Sequence, residues 1–134
     1  MKVHGSCHCG LIRFEAEADP EKVGICHCTD CQALTGSAFT VFLPVPSEAF
    51  RVLSGEPKVY VKTAQSGRRR AQAFCPQCGS RLYAAAEKDS PVFNLRVGTL
   101  RERAELPPKV QLWCRSALPW VDALGAVPKR TQGG

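Results

Sequence analysis

Seven of the eight cysteines fall in three tight clusters, and their spacing restricts what this chain can fold into more than any other feature. The clusters are Cys7-His8-Cys9, Cys26-His27-Cys28-Thr29-Asp30-Cys31 and Cys75-Pro76-Gln77-Cys78. Zinc–sulfur bonds are about 2.3 Å, so two thiolates on one tetrahedral ion lie about 3.8 Å apart. A Cys-x-x-Cys turn followed by Gly79 can make that bite, because glycine permits the tight positive-φ return. A Cys-x-Cys pair puts both thiols on one side of an extended backbone, and Gly10 lets the chain bend after it.

A structural zinc site is closed by four ligands, whereas a catalytic one keeps a position open. Seven ligands divide naturally into four and three. The two-thiol clusters supply Cys7, Cys9, Cys75 and Cys78 to a structural zinc, and Cys26, Cys28 and Cys31 form a second, three-thiolate site. The second cluster is a strong metal signal with an ambiguous purpose: a second structural zinc, completed by His8, His27 or a water, is the alternative. His8 and His27 alternate with ligand cysteines, so their rings are expected to point away from the metal. His4 is expected at the surface. Cys114, beside Trp113, has no partner motif and reads as a buried apolar thiol.

Reading the cysteines as ligands depends on compartment. Met1–Gly10 has no apolar stretch of the secretory type, so a reducing cytoplasm is expected, where metal binding is a better reading than four disulfides. No apolar run approaches the roughly 20 residues that a bilayer needs. The 134 residues fit one domain, 1–126, followed by a basic, flexible tail, 127–134. The formal charge of +6 falls to about +3 once seven thiolates hold two zinc ions. Aromatics are 7% of the chain, with no basic–aromatic alternation for stacking bases, so nucleic acid is not the expected partner.

Short β-forming stretches dominate: Leu11–Ala16, Phe39–Leu43, Lys58–Lys62, Arg70–Phe74, Arg81–Ala84, Val92–Val97 and Val110–Cys114, separated by Pro, Gly and Ser. Thr29–Leu34 alone reads as a helical turn. Many short strands predict a mostly β sandwich or barrel-like sheet pair.

Taken in order, Gly5-Ser6-Cys7-His8-Cys9-Gly10, Cys26-His27-Cys28-Thr29-Asp30-Cys31, Thr35-Gly36-Ser37-Ala38-Phe39, Phe74-Cys75-Pro76-Gln77-Cys78-Gly79-Ser80 and Val97-Gly98-Thr99-Leu100 resemble the glutathione-dependent formaldehyde-activating enzyme family, which includes centromere protein V. The resemblance runs from Val3 to Val121. It implies a two-zinc β-sandwich, or β-tent, of short antiparallel strands. It implies structural zinc at Cys7, Cys9, Cys75 and Cys78, and an exchangeable zinc, open to a thiol, at Cys26, Cys28 and Cys31. The activity it implies is condensation of glutathione with formaldehyde, a carbon–sulfur lyase reaction. Two positions depart from the family pattern: Gln72 stands where Arg is common, and Gln111-Leu112 where many members have a His-Ile-type pair.

A thiol that coordinates an open zinc loses its proton and becomes a nucleophile at neutral pH. Cations beside the site would hold an anionic thiol such as glutathione. Lys62, Arg68, Arg69 and Arg70 are candidates, although the arginine run reads first as an exposed hairpin tip. Gly36 and Ser37 follow the cysteines closely and either offer N–H or hydroxyl groups to a ligand or simply end the helical turn. The competing function is a non-enzymatic two-zinc module for a protein or nucleic-acid partner, and the fourth ligand of the second zinc separates the two.

Overall fold

Glycine at position 5 is where the two sheets of this molecule are set. In the computed structural model, which describes residues 1–133, ten strands and one α-helix follow in the order β1 (Lys2–Ser6), β2 (Arg13–Glu17), β3 (Gly24–Cys26), α1 (Thr29–Thr35), β4 (Thr40–Pro46), β5 (Phe50–Ser54), β6 (Lys58–Thr63), β7 (Arg69–Phe74), β8 (Arg81–Ala86), β9 (Val92–Arg96) and β10 (Val110–Leu112). Strands β1, β2 and β5 make a small antiparallel sheet in that order. The other seven make a sheet in the order β10-β3-β4-β9-β8-β7-β6. A Gly5–Leu100 bridge ties the small sheet to the segment after β9.

The two sheets close on one apolar core. Val3, Phe14 and Ala16 of the small sheet meet Leu43, Val45, Leu82 and Leu95 of the large one, all buried. Phe50 joins them: its ring lies 5.7 Å from Phe14, 5.1 Å from Tyr83 and 4.7 Å from Phe93. Burying each large apolar side chain is worth roughly 1.5–3 kcal/mol. Because side chains alternate along a strand, the same strands present a second face outward. On it lie Thr40 and Phe42 of β4, Asn94 and Arg96 of β9, Ala84 of β8, Arg70 and Gln72 of β7 and Lys62 of β6. They form one row through the pairs Phe42–Arg96, Ala84–Asn94, Gln72–Ala84 and Lys62–Arg70. The candidate functional site stands on this outer face.

The expected mostly β architecture is present, with three differences. The predicted strand 110–114 stops at Leu112, because Trp113 enters the left-handed region at φ 57° and a 3-10 turn follows at Cys114–Ser116. That strand pairs parallel to β3, against the antiparallel expectation. Strands β1, β3 and β5 were not anticipated: Gly5 blanks the alternation of β1, β3 has three residues, and most of β5 is exposed. Pro44 sits inside β4 without a ladder penalty, since β3 pairs only with Thr40–Phe42 and leaves that edge open beyond it. Of the expected tail, Val127–Gly133 carries no helix or strand, and Gly134 lies outside the described residues. No helix among the described residues is long and apolar enough to cross a membrane.

A Cβ on Gly5 would lie 2.0 Å from the buried Phe14 ring. Gly5→Ala should therefore cost about 1–3 kcal/mol in urea unfolding of the metal-loaded protein. Gly98→Ala, whose Cβ would meet nothing within 4 Å, should change stability by less than about 0.5 kcal/mol. Equal costs would mean that the Gly5–Phe14 contact does not set the sheet junction.

Candidate metal centres

Two hairpin turns, one from each sheet, bring four thiols together. Between β1 and β2, Cys7 donates its N–H to Ile12 O at 3.0 Å, and Gly10 turns the chain at φ 83°. Between β7 and β8, Cys75 N–H donates to Ser80 O and Gly79 N–H to Cys75 O, both at 2.9 Å, with Gly79 at φ 78°. The Cys7 and Cys9 sulfurs are then 3.6 Å apart, Cys9 and Cys75 3.8 Å, and all four of Cys7, Cys9, Cys75 and Cys78 lie within 4.8 Å of one another. These are the edge lengths of a thiolate tetrahedron about an ion with bonds near 2.3 Å, roughly 3.8 Å. Backbone N–H groups point at the sulfurs, Ile12 to Cys7 at 3.2 Å and Gln77 to Cys75 at 3.4 Å, and such donors favour the thiolate. The Ser80 hydroxyl beside Cys78 pulls that thiol down to about 5. The donor set fits a closed metal site.

The second group is built at the end of β3 and the start of α1. Cys26 ends the strand, Cys28 caps the helix by accepting Cys31 N–H at 3.3 Å, and Cys31 lies in the first turn. Their sulfurs also lie within 4.8 Å of one another, and no further His, Cys, Asp or Glu among the described residues joins them. The Cys31 thiol hydrogen-bonds the Cys26 sulfur, which lowers Cys26 below the ordinary thiol range and, with burial, raises Cys31 above it. This set could hold a metal with one position left over.

A cavity of about 320 Å³ opens over these three thiols, within the ~300–1,000 Å³ range of small-molecule sites. Lys62, Arg68, Arg70 and Arg96 line it, and no carboxylate does. Arg96 donates to Gln72 Oε1 at 3.2 Å; burial pulls its pKa down, and the Cys31 and Cys26 thiols opposite push it up. Burial and the neighbouring Arg68 also lower Arg70. Lys62 reaches back to Asp30 of α1 at 2.9 Å. Thr40 Oγ1, in the cavity wall, is buried without a hydrogen-bond partner. Trp113 forms the rim, with the Arg115 guanidinium 5.0 Å from its ring centre.

The model of the glutathione-dependent formaldehyde-activating enzyme family matches residues 2–116, nearly the whole chain. The chain belongs to that family. A Penicillium rubens protein, which bears the provisional name of a glutathione-dependent formaldehyde-activating enzyme, is 30% identical over 91 residues. The match covers 66% of this chain and about half, 47%, of that relative. A crystal structure of a Rhodobacter sphaeroides protein has the same fold, with a TM-score of 0.62 at 19% identity, covering 83% of this chain and 99% of that one.

Against the family pattern, the two departures sit beside the second thiol group. Gln72 carries the Arg96 guanidinium, so a cation still faces the cavity although position 72 is neutral. Gln111 Oε1 accepts from His27 Nε2 at 2.7 Å. His27 is buried behind the thiols, edge-on to Phe39 with ring centres 5.5 Å apart, and its Nδ1 has no partner. His8 is exposed, its backbone N–H on Ser80 Oγ at 3.0 Å. His4 is not free at the surface, as expected, but half-buried and paired to Glu102 at 2.8 Å. Cys114 is exposed rather than buried, because it sits in the turn that follows the edge strand β10.

The arginine run also reads differently in three dimensions. Arg68 and Arg70 line the cavity with Lys62, and only Arg69 turns outward, to Glu87 at 2.9 and 3.1 Å. Gly36, at φ 63°, and Ser37 both aim their N–H groups at Gln32 O and do not line the cavity, so they end α1. Arg96, Asn94, Thr40 and Trp113 are cavity residues that the motifs did not point to. For Asn94 and Arg96 a signal exists, the polar positions of the alternating run Phe93-Asn94-Leu95-Arg96.

Cys75 is fully buried and bridges the two sheets, whereas Cys31 lies in a local cluster. Since metal binding to a site of distant segments is coupled to folding, Cys75→Ser should unfold or become insoluble. Cys31→Ser should keep its circular dichroism and lose half the bound metal. Equal loss of structure in both variants would place the two groups on the same structural footing.

Proposed function

We propose that this protein is a zinc-dependent enzyme of the carbon–sulfur lyase type, joining an anionic thiol such as glutathione to an aldehyde such as formaldehyde in a reducing, cytoplasmic setting. The unit that carries the reaction is the domain 1–126. The observation behind the proposal is a three-thiol group without a fourth protein donor among the described residues, facing a cavity whose charged lining is entirely cationic. The family membership and the relative's name point to the same chemistry.

Zinc, the metal that all-thiolate tetrahedral sites favour, supplies a Lewis-acid position at which a coordinating thiol gives up its proton. The chain's own residues do the rest. Arg68 and Arg70, from the hairpin of β6 and β7, hold carboxylates of the thiol, and guanidiniums do so in a bidentate fork. Half-buried Arg96 offsets the negative charge of Cys26 and Cys31 and is itself fixed by Gln72. Thr40 Oγ1, unpartnered at the wall, is free to bond a ligand. Trp113 limits the mouth. With the thiol so placed, its sulfur lone pair forms the bond to the aldehyde carbon, the carbonyl π pair moves to oxygen, and the proton that left the sulfur ends there. The product is an S-hydroxyalkyl thioether, with atoms and electrons balanced.

Calorimetry in two buffers of different ionisation enthalpy tests the open position directly. Glutathione binding at neutral pH should release about one proton, because a free thiol with pKa near 8.5 is mostly protonated there. Cys31→Ser should lose the response. Arg70→Gln should weaken glutathione about tenfold to a hundredfold, the worth of a charge-assisted hydrogen bond, while leaving a small neutral thiol unaffected. Binding without proton release, or none at millimolar thiol, would favour a two-zinc structural module.

A further inference from the structure

The Gly5-Ser6 and Val97-Gly98-Thr99-Leu100 motifs have no part in the thiol cavity, yet they meet beside the small sheet, where Gly5 bridges Leu100. There a separate cleft of about 600 Å³ opens, sharing no lining residue with the thiol cavity. Arg13 of β2 lines one wall, and Arg101 and Arg103 of the segment after β9 line the other. The walls are held together by backbone: Gly5 bridges Leu100, and Arg101 N–H donates to His4 O at 2.8 Å.

Several cations of the surface are matched, Lys2 and Arg51 with Glu15, Arg69 with Glu87, Lys109 with Glu21, but the arginines of this cleft are not. In the cleft, neither Arg13 nor Arg101 makes an ion pair or a side-chain hydrogen bond among the described residues, and Arg103 makes one bond, to Leu100 O. Glu102, between Arg101 and Arg103 in the chain, spends both oxygens on His4, at 2.7 Å to the backbone N–H and 2.8 Å to the ring. Three guanidiniums therefore share a concave surface without a counter-ion. An anion in the cleft would meet donors from both walls, and the planar fork of each guanidinium matches phosphate oxygens. Leu53, half exposed, and the Phe14 ring add an apolar flank.

We propose that this cleft binds the phosphate of a small phosphate monoester, with the organic part against Leu53. Its walls are tied together by backbone bonds before a ligand arrives, so little ordering cost accompanies binding. The site stands independently of the thiol chemistry.

The test is a titration of zinc-loaded, isotope-labelled protein with phenyl phosphate at constant ionic strength, followed by amide NMR. Gly5, Gly98, Thr99 and Arg101 should shift together and saturably, while Cys28 and Arg70 stay still. Arg13→Gln and Arg101→Gln should each weaken binding about tenfold or more, and Lys58→Gln, on β6, should leave it unchanged. Inorganic phosphate should bind more weakly than phenyl phosphate. The proposal fails if no saturation is reached by about 10 mM, or if Lys58→Gln weakens binding as much as the arginine variants. It also fails if inorganic phosphate binds as tightly as phenyl phosphate, or if duplex DNA displaces phenyl phosphate from these amides at lower concentration.

Discussion

The meeting of Cys7 and Cys9 with Cys75 and Cys78 is the contact on which the rest depends. It spans 66 residues of sequence between Cys9 and Cys75 and links the turn of the small sheet to a turn of the large one. Four thiols at this spacing could hold one tetrahedral ion, and such an ion would tie the two turns together. The apolar core between the sheets is modest in large side chains, with Ala16, Ala18, Ala71, Ala73 and Ala85 among its buried members. A metal cross-link there would add what such a core lacks, and would fix the β7–β8 hairpin whose outer face carries Arg70 and Gln72.

Alternation then divides the labour of the large sheet. Leu43, Val45, Phe93, Leu95 and Tyr83 face the core, and their neighbours Phe42, Asn94, Arg96 and Ala84 face outward beneath the three-thiol group. Small Ala84 in the middle of the row leaves room for a ligand. The C-terminal segment closes over one end: Gln32 Nε2 donates to His27 O at 2.8 Å and Ser116 O at 3.0 Å, and His27 N–H donates to Leu112 O at 3.0 Å. The cavity's geometry is thus shared by the β3–α1 junction, the outer sheet face and the last strand.

Much of this was legible in the sequence because cysteine spacing is a short-range code with a long-range consequence. Seven thiols in clusters of two, three and two named the groups that converge, and β-branched and aromatic runs located seven of the strands. What stayed hidden depended on partners distant in sequence. Cys114 looked like a buried thiol beside a tryptophan, but the edge position of β10 leaves it exposed. Gly36 and Ser37 looked available to a ligand, but one carbonyl, Gln32 O, takes both N–H groups. The arginine run looked like a solvent-facing tip. A period of two instead sends Arg68 and Arg70 inward and Arg69 out, and only the register with β6 and β8 decides which face is which.

The proposed chemistry requires that a metal held by the three-thiol group keep a position for an external thiol. Zinc K-edge X-ray absorption on the fully loaded protein measures it most directly, since the average coordination of the two ions counts sulfur neighbours. Without added thiol the average should be about 3.5 sulfurs and half a light ligand per zinc, and saturating glutathione should raise it to about 4 sulfurs at roughly 2.3 Å. A sulfur count that glutathione leaves unchanged would contradict the account.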